Sequence, residues 1–284
     1  MSPPHTNATA DNAGIGFSGT ASTFNALTAN ADDRIAVSVN LTTDTGSLAL
    51  EGDADNAADT NDDITLAAGT TLTSAGSITL DATTGGMSGA GALTLNAVGG
   101  VTLNDSLTTA GTTIIDSDTD NNGVGTFTIA SGKALSTSGN ALTITADDIA
   151  LTGTLNSGAA LTTILVSDTG TIGLGATAGG MTITDAELGN ITATGLTLGD
   201  ATNGSITVNG ITAANSNNIS GTVTLNATAD NAGIAFSGTA STFNALTANA
   251  DDRIAVSVNV TTDTGDLALE GDADNAADTN DDIT

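Results

Sequence analysis

The sequence predicts an all-β protein, a right-handed parallel β-helix (β-solenoid) with coils of about 20 residues. Three observations carry this expectation: a short strand motif that recurs along the chain, a composition nearly free of aromatics and proline, and a long internal repeat.

The strand motif has the form x-apolar-Thr-apolar. It recurs as SITL (77–80), ALTL (92–95), TFTI (126–129), ALTI (141–144), GMTI (180–183), GLTL (195–198), SITV (205–208) and TVTL (222–225). Each copy alternates apolar and polar residues, the period-2 mark of a strand with one buried face. Gly, Asn and Asp separate the copies and supply the backbone conformations of tight corners. Residues 92–111 and 141–159 each hold three strand-like pieces. The first places Leu93, Leu95, Val101, Leu103 and Leu107; the second places Leu142, Ile144, Ile149, Leu151 and Leu155. Three short inward-facing strands per turn suit a triangular coil.

Composition points the same way. The chain has 284 residues with no Cys, Trp or Tyr, and its five Phe are Phe17, Phe24, Phe127, Phe236 and Phe243. A thin core of Leu, Ile, Val and Ala fits a repetitive interior better than a globular centre, which fills its volume with rings. The only prolines are Pro3 and Pro4, as expected where backbone N–H groups are committed to ladders. The alternative architecture is a run of tandem β-sandwich domains, which the strand spacing partly fits and the missing large side chains oppose. A helical array is excluded by the abundance of Gly, Thr, Asn and Asp.

Residues 226–284 repeat residues 7–65 at an offset of 219, with Gly16/Ala235, Leu41/Val260 and Ser47/Asp266 as the only differences. The expected organisation is therefore a six-residue leader (1–6), one complete long repeat (7–225) and the opening of the next (226–284). The second copy stops in mid-repeat, which reads as a fragment of a longer array. At about 20 residues per coil, one long repeat should hold roughly ten or eleven coils and extend roughly 50 Å.

Charge excludes several functions. Three basic residues (Arg34, Lys133, Arg253) stand against 32 acids, for a formal charge of −29. Such a polyanion repels nucleic acid. Disorder would be the usual reading of high charge, but the mean hydropathy is slightly positive and the apolar residues are regularly spaced. No run of 18 apolar residues indicates a membrane span, and no signal peptide is visible. Any export signal is therefore expected elsewhere in a longer parent. Catalysis has little to work with: the single His is His5, the single Lys is Lys133, and no Tyr or Cys is present.

Two acidic stretches are candidate calcium sites, because alternating Asp and Asn direct hard oxygens at one centre. One comprises Asp53, Asp55, Asp59, Asn61 and Asp63, and recurs between Glu270 and Asp282. The other comprises Asp116, Asp118 and Asp120. Neither has the full spacing of a helix–loop–helix calcium motif, and the competing reading is a solvated corner. A second candidate feature is the central Thr of each strand motif, expected to face outward: Thr79, Thr94, Thr128, Thr143, Thr182, Thr197, Thr207 and Thr224. A regular Thr array with T-x-T pairs, as at Thr71/Thr73, Thr143/Thr145 and Thr182/Thr184, is a route to ice binding. Ordinary β-propensity on a solvent-facing pleat explains the same residues.

The segments GSITLDA (76–82), GALTLNA (91–97) and AGTTLTSAG (68–76) resemble filamentous-haemagglutinin-like surface proteins and related giant bacterial β-strand-repeat adhesins. The resemblance covers nearly the whole chain after residue 6. It implies a very long exported protein displayed as a rod at the bacterial surface. The expected function is thus a non-catalytic structural or adhesive rod segment, extracellular, whose partners are neighbouring repeats and, by end-to-end stacking of coils, further copies of itself. The alternative function is an adhesin module with its own receptor or glycan at a host or cell surface.

Overall fold

The computed structural model describes residues 5–58, 61–273 and 281–284. Short strands succeed one another around three sides, and each strand pairs in parallel with one on the same side a full turn later. Strands Ile78–Asp81, Gly86–Gly89 and Leu93–Ala97 make the first, second and third sides of one coil. The next coil repeats them as Val101–Leu103, Leu107–Thr109 and Thr113–Asp116. Their registers align apolar rows, Ile78 on Val101, Met87 on Leu107 and Leu95 on Ile115. The chain is a parallel β-helix.

Alternation places every second side chain inside, and the fully buried residues form one aliphatic column with Phe127, Phe236 and Phe243 inserted in it. The third side runs as one eleven-stranded sheet from Ser22–Phe24 to Leu267–Glu270. At about 4.8 Å per rung this sheet is roughly 50 Å long. The first side is built from a seven-stranded and a six-stranded sheet. They meet where Met181–Ile183 packs against Asp148–Leu151, with the Thr182 N–H donating to Asp148 Oδ1 at 2.9 Å.

Coil length departs from the expected 20 residues. Leu93 pairs with Thr113, 20 residues on, but Leu41 pairs with Leu72 and Thr162 with Leu196, 31 and 34 residues on. The excess sits between strands Leu48–Glu51 and Asp63–Leu66, in the corner loop 117–125, and in the segment 172–190. That segment adds a strand to the first side, Ile172–Gly175, and a short helix, Asp185–Gly189. The 219-residue unit consequently makes eight full coils and two further sides, fewer than the ten or eleven expected.

Because that number is not whole, the second copy of the repeat lies on different sides from the first. Leu27–Ala31 belongs to the first side, yet its copy within Ala245–Ala250 belongs to the third. Neighbour relations inside each copy survive the shift: Leu27 on Leu48 becomes Leu246 on Leu267, and Ile15 on Ile35 becomes Ile234 on Ile254. Near-identical sequence thus builds coils with the same neighbour relations, rotated by one side of the prism.

Candidate functional site

The corners carry the chemistry of this molecule, and they come in two kinds. From the first through the eighth coil, the corner between the second and third sides contains no acid. It closes on buried hydroxyls instead. Thr162 Oγ1 donates to Ser157 Oγ at 2.8 Å, and Thr109 and Thr113 share a hydrogen bond of 2.7 Å. A similar pair, Thr43 Oγ1 donating to Ser74 Oγ at 3.0 Å, lies at the corner between the third and first sides.

Acids mark the other two corners. They cluster between the first and second sides in the early coils (Asp32, Asp53, Asp62, Asp105). Later they pass to the corner between the third and first sides (Asp118, Asp147, Asp168, Asp200, Asp230, Asp251). The shift of the second copy by one side helps extend this later row. Many of these carboxylates turn back on the chain and accept from backbone N–H groups that a corner leaves without a ladder partner. Asp32 Oδ2 accepts from Asn12 N at 2.7 Å, and its copy Asp251 accepts from Asn231 N at the same distance. Asp168 holds Gly170 N at 2.6 Å and Asp200 holds Thr202 N at 2.7 Å.

In the first candidate calcium loop the described residues turn to different partners. Asp53 is fully buried, and its Oδ2 accepts from both the N–H and the hydroxyl of Thr84 at 2.7 Å, one coil away. The same Thr84 hydroxyl lies 3.2 Å from Asp62 Oδ2. Asp62, not Asp63, is therefore the second inward carboxylate of this corner. Asp63 is part of a strand, paired between Arg34 and Gly86. Asp55 is exposed and caps Ala57 N at 2.8 Å, and Asn61 is exposed. Asp59 lies outside the described residues, as do residues 274–280 of the second copy. The corner is tight: a Cβ on Gly85 would fall 1.5 Å from the carbonyl oxygen of Asp62.

In the second loop, Asp118 is the organising residue. It is fully buried and accepts from Asn122 N, Gly123 N and the Ser167 hydroxyl at 3.3, 3.1 and 2.6 Å. Burial works against its charge, but these bonds and one with Asp120 outweigh it and hold the carboxyl below its ordinary value. Asp116 caps Asp118 N at 3.2 Å, and Asp120 accepts from Asn122 Nδ2 at 2.8 Å, so the three carboxylates serve different donors. Among the described residues, no group of three or more His, Cys, Asp or Glu side chains is arranged to hold a metal ion.

Lys133 is already engaged: its ammonium contacts the buried Asp105 at 2.7 Å across one coil. Sequence reasoning missed this pair and the Asp53–Thr84 and Asp32–Asn12 contacts, because their partners lie 28, 31 and 20 residues apart. Only the coil length could have connected them.

Burial pushes the Glu51 carboxyl up to about 7; a bond from Asp53 N opposes the rise, and repulsion from Asp81, Asp53 and Asp105 adds to it. Between 4.5 and 7 the folded chain then binds more protons than the unfolded one, so stability falls as pH rises through that window. Glu51→Gln removes this slope, because the amide is neutral at every pH. The variant should match the parent in denaturant unfolding near pH 4 and exceed it near pH 8. Asp116 and Asp147, both raised chiefly by burial, leave the variant a residual slope of the same sign.

The central threonines face outward between buried neighbours, as expected, but they divide between two sides. On the third side Thr143, Thr163, Thr197, Thr224 and Thr247 stand in register on consecutive rungs, and Ile114 separates them from Thr94 and Thr71. This is a single file. The neighbouring column reads Thr73, Asn96, Asp116, Thr145, Leu165, so no T-x-T plane forms. Thr182 lies on the first side, and Thr184 caps the Asp185–Gly189 helix instead of continuing the strand.

Open grooves follow the later acidic corner, one of about 600 Å³ lined by Asn121, Thr145, Ser167, Asp168, Asp200 and Thr202. No His, Cys, Lys or Tyr lines it. No helix among the described residues is long and apolar enough to cross a membrane. No protein-family model matches the chain, and neither a curated protein nor a solved structure matches it.

Proposed function

We propose that this chain is a segment of a non-catalytic structural rod, part of a large secreted or surface-displayed bacterial repeat protein. The observation that carries the reading is the use made of the polar residues. The acids and hydroxyls close the corners of an unbroken eleven-rung ladder, and the one lysine holds one of those corners. A stack of this kind transmits load through parallel hydrogen-bonded rungs, each coil covering the apolar faces of its neighbours. Its negative charge keeps rods apart and in solution. The resemblance to giant bacterial surface adhesins agrees with an extracellular setting.

The test pairs small-angle scattering of the intact chain with binding to a glycan array and to cells. The rod reading expects an elongated particle with no saturable ligand. Saturable binding to one glycan class or one cell type moves the function to adhesion. Thermal unfolding with calcium and then with chelator tests the acidic corners separately. Corners closed by their own hydrogen bonds should give the same midpoint in both. A midpoint that rises with calcium would make the Asp53–Asp62 corner a metal site.

A further inference from the structure

We propose that Asn122–Gly123, in the corner loop 117–125, is a site of self-modification. There the Asn122 side-chain amide is exchanged for a carboxylate, with water as the only co-reactant and ammonia as the product released. The Gly123 backbone nitrogen attacks Asn122 Cγ and gives up its proton, a C–N bond forms, and the side-chain nitrogen leaves as ammonia. Glycine permits the close approach because it carries no Cβ. Water then opens the cyclic imide at either carbonyl. One product is aspartate; the other, isoaspartate, routes the main chain through Cβ and Cγ and leaves the α-carboxylate as the branch.

Three Asn-Gly pairs occur, at 122–123, 203–204 and 209–210, and the fold treats them differently. Asn203 is fully buried; its Oδ1 accepts from Asp200 N at 2.5 Å, and its Nδ2 donates to Gly204 O and Asn226 O at 2.7 and 3.2 Å. Asn209 is half-buried, with Nδ2 donating to Ala176 O at 3.0 Å and Oδ1 accepting from Thr239 N at 2.9 Å. The attacking nitrogens are committed as well. Gly204 N donates to Gly170 O at 2.9 Å and Gly210 N to Thr239 O at 3.1 Å. Reaction at either pair first requires the coil to open.

Asn122 is free of these restraints. Its side chain is exposed, Nδ2 donates to the exposed Asp120 at 2.8 Å, and among the described residues no donor meets Oδ1. Gly123 N donates to the Asp118 carboxylate at 3.1 Å and not to a ladder carbonyl, so a group able to take its proton is already in place. The change also acts on the anchor of the corner. The N–H groups of Asn122 and Gly123 are two of the three donors that Asp118 gathers. Two further carboxylates face the same spot: a Cβ on Gly123 would lie 3.4 Å from Asp168 Oδ2 and 3.7 Å from Asp147 Oδ1. A new negative charge at residue 122 is repelled by all of them. Conversion therefore loosens loop 117–125 and leaves older chains marked at this corner.

The experiment holds the intact 284-residue chain folded in mildly alkaline buffer, samples it over time, and digests each sample with trypsin after denaturation. Cleavage at the three basic residues separates 35–133, which carries Asn122, from 134–253, which carries Asn203 and Asn209. The expected result is a gain of about one dalton in 35–133, at least about tenfold faster than in 134–253. Fragmentation of the peptide should place the gain at residue 122. Asn122→Gln should remove it, because the longer side chain forms its larger imide ring far more slowly. Hydrogen exchange of the folded chain should quicken across 117–125 in aged parent and not in aged Asn122→Gln. Conversion in 134–253 at an equal or greater rate overturns the proposal. So does a folded chain whose 35–133 stays unchanged while the same chain in denaturant converts at all three pairs. Conversion at Asn122 with unchanged exchange across 117–125 rejects the loosened corner.

Discussion

Phe236→Ala should destabilise the chain by about 3–5 kcal/mol, whereas Phe17→Ala, the same residue in the other copy, should cost about 1–2 kcal/mol. The two side chains share their local sequence except for Gly16 against Ala235 just before the ring, so composition and strand propensity nearly cancel in the comparison. Their difference is position in the stack. Phe236 is fully buried between Val208 on one rung and Val256 on the next. Phe17 has a single rung beside it, at Val37, and rests edge-on against Phe24 at 6.4 Å with part of its surface open. In a quasi-one-dimensional array each coil is stabilised by its two neighbours, so an internal cavity weakens two interfaces and a terminal one weakens a single interface. Denaturant unfolding of both variants measures the difference. Equal losses would mean that the stability of the chain is not organised coil by coil.

Asp118→Ala should cost about 2–4 kcal/mol, a large effect for a residue in a loop. The substitution leaves the N–H groups of Asn122 and Gly123 and the Ser167 hydroxyl without their shared acceptor in a buried corner. Asp118→Asn keeps the shape and one acceptor oxygen and should cost less. Because its carboxyl is held below the ordinary value of 3.8, Asp118 lends stability above that value, lost as pH falls through the lower folded one. This is opposite in sign to Glu51, so the alanine variant should lose the acid-side decline and keep the decline toward neutrality. Hydrogen exchange should quicken across residues 117–125 first. An alanine variant as stable as the parent would remove Asp118 from its anchoring role.

Much of the fold was legible because a period of two is a local signal. The segment SITL (77–80) is found as Ile78–Asp81, and ALTI (141–144) opens Leu142–Ala146. Corners were legible too, since Gly, Asn and Asp mark them. The number of sides in a long repeat was not. It depends on where the chain spends residues without turning, and segment 172–190 inserts an extra strand and a helix within one coil. The Thr184–Glu187 capping box announces that helix in a form the strand pattern hides. The acidic loops were legible as clusters, but the direction of each carboxylate was not. Alternating carboxylates say that oxygens are near one another, whereas their direction is fixed by partners a full coil away, such as Thr84 for Asp53 and Ser167 for Asp118.

The central claim is that the chain is a three-sided parallel stack in which strands of one side pair a full coil apart. Paired cysteines test it directly, because the chain has no cysteine of its own. Thr197 and Thr224 face outward on adjacent rungs of the third side, while Thr207 lies on the first side beside Ala235. Neighbouring parallel rungs are about 4.8 Å apart, within disulfide reach. Under mild oxidation Thr197→Cys/Thr224→Cys should close an intramolecular disulfide, and Thr207→Cys/Thr224→Cys should stay reduced. The reverse pattern, a bond between 207 and 224 and none between 197 and 224, would contradict the three-sided stack.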